Sequence, residues 1–195
     1  ICDVSNVFRD SNFVVFAKAL SSSDKVVVRG IPAPQTSEKP RSFFDKMVAY
    51  AIEEGAKGLG YITWTKEGEA KGPVAKFLTP EKLEDIKKIA KLENGDTIFF
   101  SCSSKLEASK LAGKVRTKLG QELELIDKNE YKFCWITDFP FYEENEETGT
   151  IDFAHNPFSM PQGGLDALNN TADPYDILAY QYDLVGNGYE LASGG

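Results

Sequence analysis

The first part of the chain alternates between short apolar runs and polar turns. Two runs rich in β-branched residues, 12–20 and 25–31, are separated by Ser21-Ser22-Ser23-Asp24, a pattern that predicts a β-hairpin. Apolar residues then recur at helical spacing from Phe43 to Ile52, and Gly55 ends the pattern, which predicts a first helix. A strand is predicted over residues 58–65.

Two further helices have recognisable start signals. Thr79-Pro80-Glu81 supplies an N-cap, a proline at the first helical position and an early acid. Ser104 and Glu107 have the spacing of a capping box, before a helix that we predict to end at Gly120. With a strand over 97–101 between them, the order β, β, α, β, α, β, α predicts an α+β fold in which three helices pack on a small, mostly antiparallel sheet.

The character of the sequence changes after Gly120. A predicted strand over 133–138 leads into an aromatic segment, an acidic loop, a short strand over 151–155 and an apolar run over 175–191. We therefore predict two domains, 1–128 and 129–195.

Composition excludes several classes of protein. The formal net charge of −8 argues against a chain that wraps a nucleic-acid backbone by itself, so any RNA contact must be local. Three cysteines without CxxC spacing, beside one histidine, predict neither a disulfide framework nor a zinc site, and fit a reducing cytosol. No run of 18 apolar residues occurs, and the first residue is not Met, so we expect an internal piece of a longer cytoplasmic protein.

Acidic residues cluster once, beside a Thr-Gly turn. Paired carboxylates can act as general acid and base, but a charge run beside a turn is typical of a solvated hairpin tip, and we favour the hairpin tip. The residues concerned are Glu143, Glu144, Glu146 and Glu147.

The lone histidine, His155, stands at the predicted end of a strand, where a Pro/Gly-rich loop begins. An imidazole there could donate to a substrate carboxylate or hold a mobile loop over a pocket. The alternative is an ordinary surface turn that happens to carry a histidine.

Asp183 and Glu190 are two acids seven positions apart, around the glycine-rich stretch 186–188. Glycine makes a helix costly there, so we predict a strand. In a regular strand the two acids lie on opposite faces, and a shared Mg²⁺ site requires a bulge or kink, which we place at Asn187-Gly188. The alternative is that Asp183 pairs with a basic group while Glu190 is an exposed strand end.

Three segments after residue 130 are Phe139-Pro140-Phe141-Tyr142, His155-Asn156-Pro157-Phe158 and Asn187-Gly188-Tyr189-Glu190-Leu191. In this order and spacing they resemble the catalytic domain of bacterial-type aspartyl-tRNA synthetases, which are class II enzymes. The upstream segments 13–16, 55–59 and 72–77 resemble the inserted domain of that family, which also occurs in a subunit of a tRNA-dependent amidotransferase.

The resemblance implies an aspartate–tRNA ligase, which joins aspartate to ATP and transfers the aspartyl group to tRNA. It implies that His155 binds L-aspartate, that Glu190 contacts ATP, and that Asp183 and Glu190 hold Mg²⁺ on the ATP phosphates. It assigns no catalytic side chain, because this chemistry depends on positioning and charge neutralisation. Asn156 departs from the pattern, since many members of the family have a second histidine there.

The resemblance further implies tRNA-Asp as partner, with tRNA-Asn left open, and a homodimeric parent enzyme without membrane contact. Because other parts of the adenylate site are missing, we expect the fragment alone to be inactive. One rival is a non-catalytic tRNA-recognition module of an amidotransferase subunit, which gives no reason for the pattern after residue 130. Another is a free-standing ligand-binding α+β domain, which predicts a closed apolar pocket within 1–120.

Overall fold

The structure is a computed structural model, and it describes residues 1–145, 147–155 and 158–195. The chain divides into two compact units. Unit 1 comprises Ile1–Ile126 and unit 2 comprises Asp127–Gly195. No helix in the described ranges is both long enough and apolar enough to cross a membrane.

Unit 1 is built on one five-stranded sheet in which every neighbouring pair is antiparallel. The sheet order is β1-β2-β5-β3-β4, so the last strand in sequence lies at the centre. The strands are β1 (Cys2–Asp3), β2 (Val26–Ala33), β3 (Gly60–Trp64), β4 (Ala70–Lys71) and β5 (Thr97–Ser104).

Helices cover the sheet, and two of the long ones begin at the predicted caps. The Thr79 hydroxyl accepts a hydrogen bond from the Lys82 backbone N–H at 3.4 Å, and the Ser104 hydroxyl accepts one from Glu107 N–H at the same distance. The helices are α1 (Ser5–Arg9), α2 (Val14–Ser22), α3 (Arg41–Glu53), α4 (Pro80–Ala90) and α5 (Lys105–Glu122), with a 3₁₀ turn at Ala75–Phe77.

The centre of unit 1 consists of two apolar layers, one on each face of the sheet. Successive side chains of a strand point to opposite faces, so Phe99 and Phe100 of β5 belong to different layers. Phe100 packs with Phe8 and Phe16, whose rings meet it edge-on. Phe99 packs on the other face with Phe44 of α3 and with α5.

The predicted hairpin over 12–31 is wrong in its first half, which is helix α2. Phe16 and Leu20, four positions apart, are buried on one side of this helix, while Val14 and Val15 are exposed. The second half is strand β2, but it pairs with β1 and β5 and not with residues 12–20. The β propensity of Val14, Val15 and Phe16 was outweighed by the helix-forming residues 17–20 and by packing of the helix on the sheet.

The three predicted helices are present as α3, α4 and α5, and the short helices α1 and α2 are additional to the prediction. Helix α5 continues through Gly120 to Glu122, because glycine weakens a helix without ending it. The combination of helices with antiparallel sheets confirms the predicted α+β class.

Unit 2 contains small antiparallel sheets and little helix. A three-stranded sheet has the order β12-β11-β6, and two-stranded pairs are formed by β10 with β7 and by β8 with β9. The elements are β6 (Phe133–Ile136), β7 (Phe139–Pro140), β8 (Tyr142–Glu144), β9 (Ile151–Phe153), α6 (Gly164–Asn170), a 3₁₀ turn (Pro174–Asp176), β10 (Leu178–Ala179), β11 (Tyr182–Gly186) and β12 (Tyr189–Gly194).

Candidate active site

The segment from Asp183 to Glu190 is a β-hairpin, not the single kinked strand that we predicted. Asn187 and Gly188 form its two-residue turn, with φ of 51° and 86°. Two positive φ values in a two-residue loop are the requirement of a type I′ turn, for which Asn-Gly is the preferred sequence. The Asn-Gly dipeptide between two apolar runs was therefore a hairpin signal that the strand interpretation overlooked.

The hairpin register places Asp183 and Glu190 on the same face. Glu190 is the cross-strand partner of Val185, and Val185 lies two residues from Asp183 on the same side of β11. A register shift between Leu184 and Val185 marks a bulge, after which Asp183 lies opposite Ser193. In a single regular strand the two acids would lie on opposite faces. Because the chain reverses at Asn187-Gly188, both acids lie on one face of the hairpin, without a kink in a single strand.

The Asp183 carboxylate has one oxygen enclosed by protein. Its Oδ1 atom is buried and has no hydrogen-bond partner in the described part of the chain. Glu190 is exposed on the same face. An enclosed, unsatisfied carboxylate oxygen is costly unless a donor or cation reaches it, so this pair fits a hard cation such as Mg²⁺.

The protein by itself does not complete a metal site within the described ranges, where no group of three or more His, Cys, Asp or Glu side chains could hold a metal ion. Mg²⁺ commonly binds through one or two carboxylates together with substrate phosphates and water. Two acids on one hairpin face match that mode of binding.

His155 follows strand β9 by two residues and is exposed. Its imidazole meets the ring of Phe139 edge-on, with 4.9 Å between ring centroids and an interplanar angle of 86°. The preceding residue, Ala154, donates its backbone N–H to the carbonyl of Phe141 at 3.1 Å. His155 therefore sits beside β7, while Asp183 and Glu190 belong to the β11–β12 hairpin.

Comparison with known proteins gives a match over the full chain. Residues 16–112 match the family model of the GAD domain. The chain is 59% identical over 197 aligned residues to an aspartate–tRNA(Asp/Asn) ligase of Rickettsia bellii, and equally to that of Rickettsia prowazekii; the enzyme of Rickettsia conorii is 58% identical. Each alignment covers 100% of this chain and 32% of the relative.

The chain is similar along its whole length to aspartate–tRNA(Asp/Asn) ligases. It spans about a third of the length of the curated relatives it matches. The similarity extends well beyond the GAD domain and includes every segment on which the resemblance to the catalytic domain was based. The resemblance to these ligases that the sequence motifs indicated is thereby confirmed.

Of the acidic run, Glu143 and Glu144 belong to strand β8, and Glu147 lies in the loop between β8 and β9. The Asn145 side chain accepts hydrogen bonds from the N–H groups of Glu147 and Thr148, which closes the turn. Glu143, Glu144 and Glu147 are exposed, as predicted for a solvated tip. Glu146, Asn156 and Pro157 lie outside the described residues.

The contact between Asp138 and Gln162 was not identified from the sequence. Asp138, at the junction of β6 and β7, has a left-handed backbone with φ of 59° and accepts a hydrogen bond from the Gln162 amide at 2.8 Å. An acid at a strand end before Phe139-Pro140 is a weak signal for such a turn. Nothing in the sequence indicates that Gln162, 24 positions away, is its partner.

Proposed function

We propose that this chain is part of an aspartate–tRNA ligase that activates aspartate with ATP and transfers the aspartyl group to tRNA. The observation that carries the proposal is the shared face of Asp183 and Glu190 in a chain related over its whole length to such ligases. The amidotransferase module is disfavoured, because the similarity to ligases continues through residues 113–195.

In this proposal each site residue binds or orients a substrate. His155 donates a hydrogen bond to a carboxylate of L-aspartate, and Glu190 contacts ATP. Asp183 and Glu190 together hold Mg²⁺ on the ATP phosphates. When bound, the ion neutralises phosphate charge as the aspartate carboxylate approaches the α-phosphorus. Holding the two anionic substrates close together is then the contribution of the chain itself.

The two units correspond, in the same proposal, to an inserted accessory domain over 1–128 and a partial class II catalytic domain over 129–195. The partners are L-aspartate, ATP and tRNA-Asp. The names of the relatives include tRNA-Asn, so we extend the proposal to both tRNAs. The parent enzyme is proposed to be a cytoplasmic homodimer without membrane contact.

Substitutions in a ligase of the relatives' length that carries this segment would test the three roles. His155→Ala should raise the KM for aspartate about tenfold or more, because a charge-assisted hydrogen bond is lost. Asp183→Asn and Glu190→Gln should lower kcat about 100-fold and alter the dependence on Mg²⁺ and ATP. Pyrophosphate exchange with aspartate and ATP measures all three.

Glu144→Gln is the matched control, since Glu144 is an exposed carboxylate of the same unit at the β8–β9 hairpin. It should leave exchange unchanged. Equal exchange in Asp183→Asn, Glu190→Gln and the control would overturn the metal assignment.

The chain alone should not catalyse pyrophosphate exchange, because two carboxylates and one imidazole do not complete an adenylate site. Exchange by the purified 195-residue chain at a rate near that of the long ligase would contradict this expectation.

A further inference from the structure

Gln162 connects the loop before α6 to two other parts of unit 2, the β6–β7 junction and strand β10. Its Nε2 donates to Asp138 Oδ1 at 2.8 Å and to the backbone carbonyl of Ala179 at 3.1 Å. Its backbone N–H donates to the carbonyl of Leu178 at 2.7 Å. We propose that Gln162 and Asp138 form a clamp that positions His155 through Phe139; this inference rests on the proposed aspartate-binding role of His155.

Asp138 is the residue at which the chain leaves one sheet and enters another. Strand β6 before it pairs with β11, which carries Asp183, and β7 after it pairs with β10. A left-handed backbone is uncommon for a residue other than glycine, although Asp tolerates it better than most. Such a conformation persists when neighbouring contacts fix it, and here the Gln162 amide holds the carboxylate of this residue.

The clamp holds Phe139 from both sides. Asp138 precedes Phe139 in the chain, and Ala179 is the cross-strand partner of Phe139 in the β7–β10 pair. One amide has two N–H donors, and Gln162 uses them for the residue before Phe139 and for the strand beside it. A change at Gln162 therefore loosens both restraints on the Phe139 backbone at once.

Phe139 transmits that restraint to the imidazole, since its ring meets His155 edge-on at 4.9 Å. His155 is exposed, and within the described residues this aromatic contact restrains the orientation of its ring. Recognition of a carboxylate requires the imidazole N–H to point at it within a narrow range of angles. Gln162 and Asp138 are thus positioning residues, without contact to substrate.

The first test uses the fact that the chain has one histidine, so its imidazole gives one unambiguous set of NMR signals. Phe139→Leu removes the ring and defines the chemical shifts of an uncoupled His155. Gln162→Ala should move the His155 signals most of the way to those shifts. Asp138→Asn should leave them near wild type, because Asn retains the Oδ1 acceptor and tolerates a left-handed backbone.

Wild-type His155 shifts in Gln162→Ala would overturn the clamp. So would displaced shifts in Asp138→Asn with a folded spectrum elsewhere, because they would show that the charge matters more than the hydrogen bond. Gln162→Glu is the second variant for the case that Gln162→Ala unfolds: it keeps the side-chain size but places an acid against Asp138, and should also displace the signals.

The second test is kinetic, in the ligase of the relatives' length. Gln162→Ala should raise the KM for aspartate about fivefold with little change in the KM for ATP, whereas Asp138→Asn should change either less than about twofold. Loss of activity in Asp138→Asn with unchanged His155 signals would make Asp138 a direct ligand and overturn the clamp. If His155→Ala leaves the KM for aspartate unchanged while the NMR coupling is present, the proposed function fails and the clamp stands.

Discussion

The two units differ in what holds them together. Among the described residues, every buried apolar side chain lies in unit 1 except Phe141, Pro161, Ile177 and Ala179. Unit 2 is about half as long as unit 1, yet it exposes more large apolar side chains, Trp135 and Tyr189 among them. Unit 1 therefore has its own core, whereas the local geometry of unit 2 depends on strand register and a few polar contacts.

This contrast predicts a large difference in hydrogen exchange within the intact chain. Amides of β2 and β5 should exchange only through global opening of unit 1, because both strands lie between two buried layers. Amides of β6, β11 and β12 should exchange faster by about two orders of magnitude or more, since little buried surface opposes their opening. Mass spectrometry of exchanged peptides measures the difference, and equal protection of the two sets would remove the contrast.

Phe8→Ala and Phe141→Ala make the same Phe-to-Ala change in the apolar core of unit 1 and in the small apolar cluster of unit 2. Phe8 is fully buried, and the centroid of its ring lies 5.1 Å from the ring centroids of both Phe16 and Phe100. Its truncation should lower the free energy of unfolding of unit 1 by about 3–5 kcal/mol. Phe141 is 6% exposed in a cluster of three buried residues, and its loss should cost about 2 kcal/mol, because a thin cluster can relax.

Denaturant unfolding measures both free energies. A cost at Phe141 equal to that at Phe8 would show that unit 2 has a core as well packed as that of unit 1.

The polar contacts of unit 2 are tested at the hairpin turn. The Asn187 side chain accepts from Lys132 N–H at 2.8 Å and donates to the Glu130 carbonyl at 3.0 Å, and its backbone φ is positive. Asn187→Ala should destabilise unit 2 by about 1–2 kcal/mol through both effects. Asn170→Ala is the control, because Asn170 makes an exposed contact within α6 and should change stability by less than about 0.5 kcal/mol. Hydrogen-exchange protection of the β11 and β12 amides measures the effect. Equal protection in Asn187→Ala and Asn170→Ala would contradict the stabilising role of the turn.

The smallest expected effect on stability is electrostatic and comes from Asp3 in unit 1. Burial of Asp3 opposes its ionisation. The carboxylate accepts hydrogen bonds from the Ser5 hydroxyl and backbone N–H, and the Arg29 guanidinium lies 2.9 Å from it. These contacts outweigh the burial and lower the pKa of Asp3 below its ordinary value of 3.8. A lowered folded pKa contributes stability that is fully present above the ordinary value and is lost as the pH falls through the folded value.

Asp3→Asn should therefore flatten the acid side of the unfolding profile of unit 1, between about pH 5 and about pH 2. The effect should be below about 1 kcal/mol, because Asp3 is largely accessible to water. An Asp3→Asn profile as steep as that of wild type would assign the acid sensitivity to other groups.

The sequence alone determined those helices whose caps or apolar period can be recognised within a few neighbouring residues. Thr79 and Ser104 mark the starts of α4 and α5 because their hydroxyls accept from backbone N–H groups three residues on. The helical period of apolar residues after Phe43 likewise determined α3. These signals act within a few residues, so no knowledge of the fold is needed to interpret them.

Tertiary structure decided the rest. Val14, Val15 and Phe16 have β-forming side chains, yet residues 14–22 are helical because Phe16 and Leu20 pack in an apolar layer that includes Phe100 of the distant strand β5. The common face of Asp183 and Glu190 follows from the cross-strand register, and the Asp138–Gln162 contact joins residues 24 apart. Both contacts depend on where the backbone turns. The turns are set by pairing between strands from different parts of the chain, so no single segment of sequence determines them.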